Sequence, residues 1–204
     1  ARPGGGLRYS DAAGAIDLPR PALPGPHQPD NAGIAIAALR AWNPPWLSNV
    51  AIVEGLARAE WPARLQRLTG RLAATLLAGW ELWLDGGHNP SAGEALAAHV
   101  AEAWGDRPLH ILVGMKRGKG ADGFLRPLVP LAASLTAVAD PGQHLAMPVP
   151  EIITASGGAA RPGGTVAEGL AAVTAGGGPP ARVLICGSLY LAGEMLKADG
   201  AAPA

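Results

Sequence analysis

From Trp61 onward, short runs rich in Leu, Val and Ile alternate with longer stretches of helical spacing, and this alternation narrows the fold more than any other feature. "ARLQRLTG" and "WELWLDGG" read as strands with the apolar "RLAATLLAG" between them. A helix is expected from Pro90 to Trp104, where Leu96, Val100 and Trp104 recur at i, i+4 and i+8 to make one face. There follow a strand "LHILVGM", a helix near "ADGFLRPLVPLA" and a strand "SLTAVAD". Helices around "VPEIITASG" and "TVAEGLAAVTA" precede the last strand, "ARVLICGS", and a closing helix "LYLAGEMLK". Strands separated by helices need crossover connections, which give a mostly parallel sheet covered by helices on both faces, an α/β fold of Rossmann-like type.

The segment before Trp61 reads differently. Residues 1–30 are punctuated by prolines ("DLPRPALPGPHQPD") and read as extended chain and turns. "NAGIAIAALRAW" reads as a helix capped by Asp30 or Asn31, with Ile36 and Leu39 on its apolar face, and "NPPW" stops it. A shorter helix, "LSNVAIVEGLARA", ends before Trp61-Pro62, which places a domain boundary between segments 1–60 and 61–204.

Composition excludes several classes. Apolar residues make up 49% of the 204, enough for a sizeable core, while acids and bases balance at 16 each. That balance gives no basic footprint for nucleic acid, and no apolar run reaches membrane-spanning length. A lone Cys186 excludes an internal disulfide and fits a reducing compartment, so the cytoplasm is expected. The chain begins at Ala1 rather than methionine, and we expect a piece of a longer protein.

Ligands of open parallel sheets gather beyond the carboxyl ends of the strands, where loops and helix N-termini converge. "LDGGHNP" lies at such an end. Gly86 and Gly87 permit a tight turn, Asn89 can cap the next helix and Pro90 suits its first turn. Asp85 and His88 are left without an evident structural task; an ordinary turn, with Asp85 holding backbone amides and His88 solvated, is the competing reading and has the edge on spacing alone. At the last strand, Gly187 and Ser188 lead into a helix whose free N–H groups could meet an anion or simply be capped. "VGMKRGKGAD" fails as a phosphate loop: three residues, not four, separate Gly114 from Gly118, and Lys119 precedes Gly120 rather than Ser or Thr. Lys116, Arg117 and Lys119 read as a solvated basic loop. Scattered histidines and one cysteine make a zinc site improbable, and Cys186 reads as a buried, inert thiol. The six tryptophans suit core or domain-contact roles.

Four stretches in order, "LPGPHQPDNAGIAIAAL", "WPARLQ", "LDGGHNPSA" and "ICGSLYLAGEML", resemble the C-terminal part of the folylpolyglutamate synthase/dihydrofolate synthase family of the Mur ligase superfamily. The resemblance implies the tail of a central ATPase domain over 1–60 and the glutamate- and ATP-contacting C-terminal domain over 61–204. It implies an ATP- and Mg²⁺-dependent ligase that joins L-glutamate to a pteroate or folate through an acyl phosphate, monomeric at full length. By motif, Asn31 resembles an adenine-contacting asparagine, Arg64 an arginine that reaches ATP phosphate, and Asp85 a nucleotide-contacting aspartate. His88 resembles a histidine near nucleotide and glutamate, assigned here as catalytic and glutamate-binding, with Ser188 and Tyr190 weaker matches on the glutamate side. Gly87 stands where the family usually has alanine, Ala63 where it usually has glycine, and the loop bearing Lys119 departs from the usual pattern, leaving that lysine's role open. No Gly-x-x-x-x-Gly-Lys-Ser/Thr sequence is present, so the phosphate loop and Mg²⁺ ligands are expected upstream, on a missing ATPase domain, and the chain is expected to be inactive alone. A non-catalytic nucleotide- or glutamate-binding module and a fragment of a peptidoglycan-type Mur ligase are the alternatives.

Overall fold

The computed structural model describes residues 6–200, and the chain divides into two compact units, Ala1–Trp61 and Pro62–Ala204. In the first unit, β1 (Leu7–Asp11) and β2 (Gly14–Leu18) form an antiparallel hairpin, where the prolines had suggested irregular chain. Residues 7–18 carry no proline; there Leu7 pairs with Leu18 and Tyr9 with Ile16, and Gly14 takes the positive φ the turn requires. Helix α1 (Gln28–Trp42) starts before Asp30 and Asn31 rather than being capped by them. Pro29 sits in its first turn, where a missing N–H costs nothing, so the proline opens the helix instead of delaying it. Helix α2 (Asn49–Arg58) is capped by Ser48, whose side chain accepts the Ala51 N–H. Ile16, Leu18, Ile36 and Ile52 form the small core of this unit, while Trp42, Trp46 and Trp61 are exposed.

The second unit is built on a six-stranded sheet, with β3 (Gln66–Leu68), β4 (Glu81–Leu84), β5 (Leu109–Val113), β6 (Ser134–Ala137), β7 (Arg161–Pro162) and β8 (Arg182–Cys186) in the order β3-β4-β8-β5-β6-β7. All neighbours are parallel except β3, which runs antiparallel to β4 at one edge. The short edge strand β7 escapes a reading by apolar pattern, because Arg161 and Pro162 are both exposed. Its proline sits at the sheet's rim, where proline is tolerated. The connecting helices are α3 (Pro90–Ala103), α4 (Ala121–Leu125), α5 (Val149–Ala155), α6 (Val166–Ala175) and α7 (Leu189–Asp199).

Strand residues point alternately to the two faces, and the core is therefore two layers. Leu184 and Cys186 of β8, with Ile111 and Val113 of β5, meet Leu96, Val100 and Trp104 of α3, Phe124 of α4 and Ile152 of α5. Val183 and Ile185, with Leu82 and Leu84 of β4, meet Leu170 of α6 and Leu191 and Met195 of α7. The expected α3 face is thus the buried one. Each fully buried Leu or Ile side chain contributes about 1.5–3 kcal/mol, so these two layers carry the unit.

At the amino ends of the central strands, the charges neutralise one another. Glu81 lies 3.0 Å from Arg182, 3.5 Å from Arg107 and 3.6 Å from Arg67, and Arg182 also binds Asp106. Burial pushes the Glu81 carboxyl up, but hydrogen bonds from Trp83 and Arg182 and the charges of Arg67 and Arg182 outweigh it, holding the group below its ordinary value of 4.5. A lowered folded value means that its stabilisation is full above the unfolded value and is lost as pH falls through the folded one. Thermal melts across a pH series should hold steady down to about pH 5 and fall below it, and Glu81→Gln should flatten that acid slope. An unchanged slope in the variant would exclude this network as its source.

Candidate functional site

Three strand ends and two loops build the site at the opposite, carboxyl edge of the sheet. The polypeptide enters the second unit through Ala63-Arg64-Leu65, where Ala63 (φ 55°) and Leu65 (φ 43°) both adopt the left-handed conformation. A non-glycine residue there costs about 1–2 kcal/mol. Ala63, which stands where the family usually has glycine, adopts that conformation without glycine's freedom.

Polar contacts hold the strained loop. The Ala63 N–H donates to Gln66 Oε1 at 2.8 Å, the Ala63 carbonyl accepts the Gly86 N–H at 2.8 Å, and the Leu65 N–H donates to Asp85 Oδ2 at 2.8 Å. The other oxygen of Asp85, Oδ1, accepts the Gly87 N–H at 2.7 Å. Asp85 is 3% exposed, so its carboxylate has exchanged water for these amides. Hydrogen bonds to a charged acceptor are worth about 1.5–3 kcal/mol each, the scale of the backbone strain they oppose. Asp85 thus holds backbone amides, the reading that spacing alone favoured, and it clamps the loop that carries Arg64 to the turn.

The turn itself is closely packed. A Cβ on Gly86 would lie 2.4 Å from Leu189 Cδ2, and one on Gly87 would lie 2.8 Å from Asp85 Oδ1 and 3.0 Å from the Ala92 Cβ. Glycine at 87 therefore lets the turn close over the carboxylate rather than loosening it. The His88 ring is half-buried, with Nδ1 2.9 Å from the Gly86 carbonyl. A carbonyl can only accept, so Nδ1 carries the proton and Nε2 is left as the basic nitrogen. Asn89 caps α3 by accepting the Ala92 N–H at 2.9 Å, with Pro90 in the first turn, as the sequence suggested.

Strand β8 ends beside this turn: the Gly187 N–H donates to the Gly87 carbonyl at 3.0 Å. Ser188 is 2% exposed and caps α7, its Oγ accepting from Tyr190 N at 3.2 Å and Leu191 N at 3.4 Å. The amides that seemed open to an anion are thus already engaged. Tyr190 is 48% exposed and meets two groups the sequence did not connect to it, Lys116 and His144. Lys116 is half-buried rather than a fully solvated member of its loop, whereas Arg117 and Lys119 are exposed. Burial, with the charge of Asp85, pushes the Cys186 thiol up, which makes it an inert core group.

The structure therefore groups Arg64, Asp85, His88, Ser188 and Tyr190 along one edge of the second unit. Asn31 lies on the first turn of α1 in the other unit, exposed, its side-chain amide donating to Gln28 Oε1 at 3.3 Å. Among the described residues, no group of three His, Cys, Asp or Glu side chains is placed to hold a metal ion, and no helix is long and apolar enough to cross a membrane.

No family model matches the chain. It is 30% identical over 202 residues to a "Probable bifunctional folylpolyglutamate synthase/dihydropteroate synthase" of Haloferax volcanii, a match covering 94% of this chain and 23% of that protein. It is 32% identical over 153 residues to a dihydrofolate synthase/folylpolyglutamate synthase of Mycobacterium tuberculosis, covering 73% and 28%. Escherichia coli FolC in complex with ADP superposes with a TM-score of 0.79 at 26% identity, over 97% of this chain and 45% of that one. The chain thus spans about a quarter of these curated relatives and less than half of the solved structure.

The clamp makes a prediction about stability. Asp85→Asn keeps one acceptor but turns an N–H₂ toward the second backbone donor, which should cost about 1–3 kcal/mol in urea unfolding. Hydrogen exchange should quicken at the Leu65 and Gly87 amides while the amides of β5 and β8 stay protected.

Proposed function

We propose that this chain, which is related to the folylpolyglutamate synthase/dihydrofolate synthase family of the Mur ligase superfamily, is that family's C-terminal part and supplies one half of an ATP-dependent ligase site that joins L-glutamate to a pteroate or folate. The observation that carries the reading is the clamped entry loop. A protein that holds two non-glycine residues in the left-handed region, and commits a buried carboxylate to keeping them there, fixes the residue between them, Arg64.

In the reaction, ATP converts the acceptor carboxylate to an acyl phosphate, the glutamate amine attacks its carbonyl carbon, and phosphate leaves from the tetrahedral adduct as the amine loses a proton. Arg64 is half-buried and has no carboxylate partner among the described residues, so its guanidinium is available to grip phosphate oxygens in a fork and offset their charge. His88, with Nδ1 tied to Gly86, offers Nε2 to take the proton that the attacking amine releases. Asp85 acts on nucleotide through Arg64 and the turn, since both of its oxygens already accept backbone amides. Asn31, exposed on α1, is assigned to adenine. The described residues do not fit a Mg²⁺ site, and no phosphate-loop sequence is present, so phosphate activation and the metal are assigned to residues outside this chain.

The test is glutamate-dependent ADP release with ATP, Mg²⁺ and dihydropteroate, run on this chain alone and on the chain joined to the upstream half of a relative. Release is expected only from the joined protein, and Arg64→Ala should lower it by about 100-fold, the scale of losing one charge-stabilising group. Undiminished release in that variant would remove Arg64 from the mechanism, and release by the chain alone would place the phosphate chemistry here.

A further inference from the structure

The face of the second unit covered by α3, α4 and α5 carries a cavity of about 500 Å³ that none of the candidate site residues lines. Pro90, the first residue of α3, forms part of its wall, with Gly123 of α4, Val129 beyond it, and Ala155 and Gly157 at the end of α5. This frame is closely built. A Cβ on Gly93 would run into the Phe124 carbonyl oxygen, and one on Gly123 would lie 2.8 Å from Pro90 Cγ, so two glycines let α3 and α4 meet backbone to backbone. At the α5 end, Ser156 is buried and spends its hydroxyl twice, donating to the Ile153 carbonyl at 2.7 Å and accepting the Ala160 N–H at 2.9 Å. Gly157 then turns the chain with a φ of 68°, and a Cβ there would meet nothing within 4 Å. Packed helix ends thus frame the cavity, with open space beside the last turn of α5.

Two opposite charges stand in this wall, Asp122 and Arg126. They lie four residues apart on α4 and its helical cap, a spacing that sets their Cβ atoms about 5–6 Å apart, with the acid first, the order that favours an ion pair. Elsewhere in the chain such neighbours do pair: Arg58 reaches Glu54 at 3.9 Å, and Lys197 reaches Glu194 at 2.9 Å. Asp122 and Arg126 do not, and neither has another ionic partner among the described residues. Both side chains are exposed, so each charge is open to an incoming group at the cavity.

We propose that this cavity binds a small organic zwitterion, with its anion on the Arg126 guanidinium, its cation on the Asp122 carboxylate and its apolar body against Pro90, Val129 and Ala155. The lining decides against the other classes of ligand. An inorganic ion fills little of the volume and answers only one of the two charges. A wholly apolar molecule strips water from both and returns no hydrogen bond. A molecule charged at both ends meets each of them, its carboxylate gripped by the guanidinium fork, and an apolar body between the ends covers the rest of the wall. The inference goes beyond the ligase reading and does not rest on it.

The experiment is an NMR titration of the whole chain with para-(aminomethyl)benzoate, which carries an ammonium and a carboxylate at opposite ends of a ring. Benzoate and benzylamine serve as probes with one charge each. Saturable shifts are expected at the Gly123, Arg126 and Gly157 amides with the zwitterion, and about tenfold weaker binding with either single-charge probe. Asp122→Asn should reduce the zwitterion's affinity to that of benzoate, and Arg126→Gln to that of benzylamine, with Arg126→Lys retaining part of it. Both positions carry exposed side chains, and an unchanged amide spectrum away from the cavity shows that the variants fold. Absence of saturable shifts, single-charge probes that bind as tightly as the zwitterion, or undiminished affinity in either Asp122→Asn or Arg126→Gln would overturn the proposal. Saturable shifts confined to the Gly86–His88 turn would overturn it as well, since they would place the probe at the candidate site instead.

Discussion

The turn and entry loop of the candidate site hang on one buried carboxylate with two backbone amides on it. Asp85 ends β4 and reaches back to Leu65 with one oxygen and forward to Gly87 with the other. It thereby ties the chain's entry into the second unit to the turn that carries His88. Remove the carboxylate and two amides lose their acceptor, two left-handed residues lose a restraint, and Arg64 loses a fixed origin. The same group that a motif reading places against nucleotide is, in the fold, the residue that positions other side chains.

The glycines around the clamp follow from how closely it is built. Gly86 leaves room for Leu189, and Gly87 for the carboxylate itself, so β4 and β8 can deliver their loops side by side. The charge pattern follows from the same geometry. Parallel strands send all their amino ends one way and all their carboxyl ends the other, so the unit neutralises one edge while, among the described residues, the lysines and arginine after β5 at the other have no carboxylate partner. Glu81 and Lys116 mark the two outcomes.

The sequence made some of this plain and hid the rest for definite reasons. Periodicity exposed the α3 face and the central strands, because burial of every third or fourth residue, or of every residue in a run, leaves a direct trace. It missed the hairpin at residues 7–18, whose alternation is short and adjoins a proline-rich stretch, and β7, whose exposed Arg and Pro carry no apolar signal. It placed the start of α1 too late by taking Asp30 or Asn31 as the cap, where Pro29 already lies in the first turn. Asp85 and His88 were singled out, but their partners were not. Leu65 lies 20 residues from Asp85, and no local pattern encodes that separation.

Taken alone, the sequence determined the α/β class, the turn at residues 85–90, the cap at Asn89, the inert Cys186 and the resemblance that names the family, since each of these is local or compositional. Only the tertiary structure decided which amides Asp85 clamps, chose the capped helix over the open anion site at Ser188, and brought Lys116 and His144 to one tyrosine. Those roles are set by which donor reaches which acceptor across the sheet's edge. A chain's order along its length does not specify that until the strands are laid side by side.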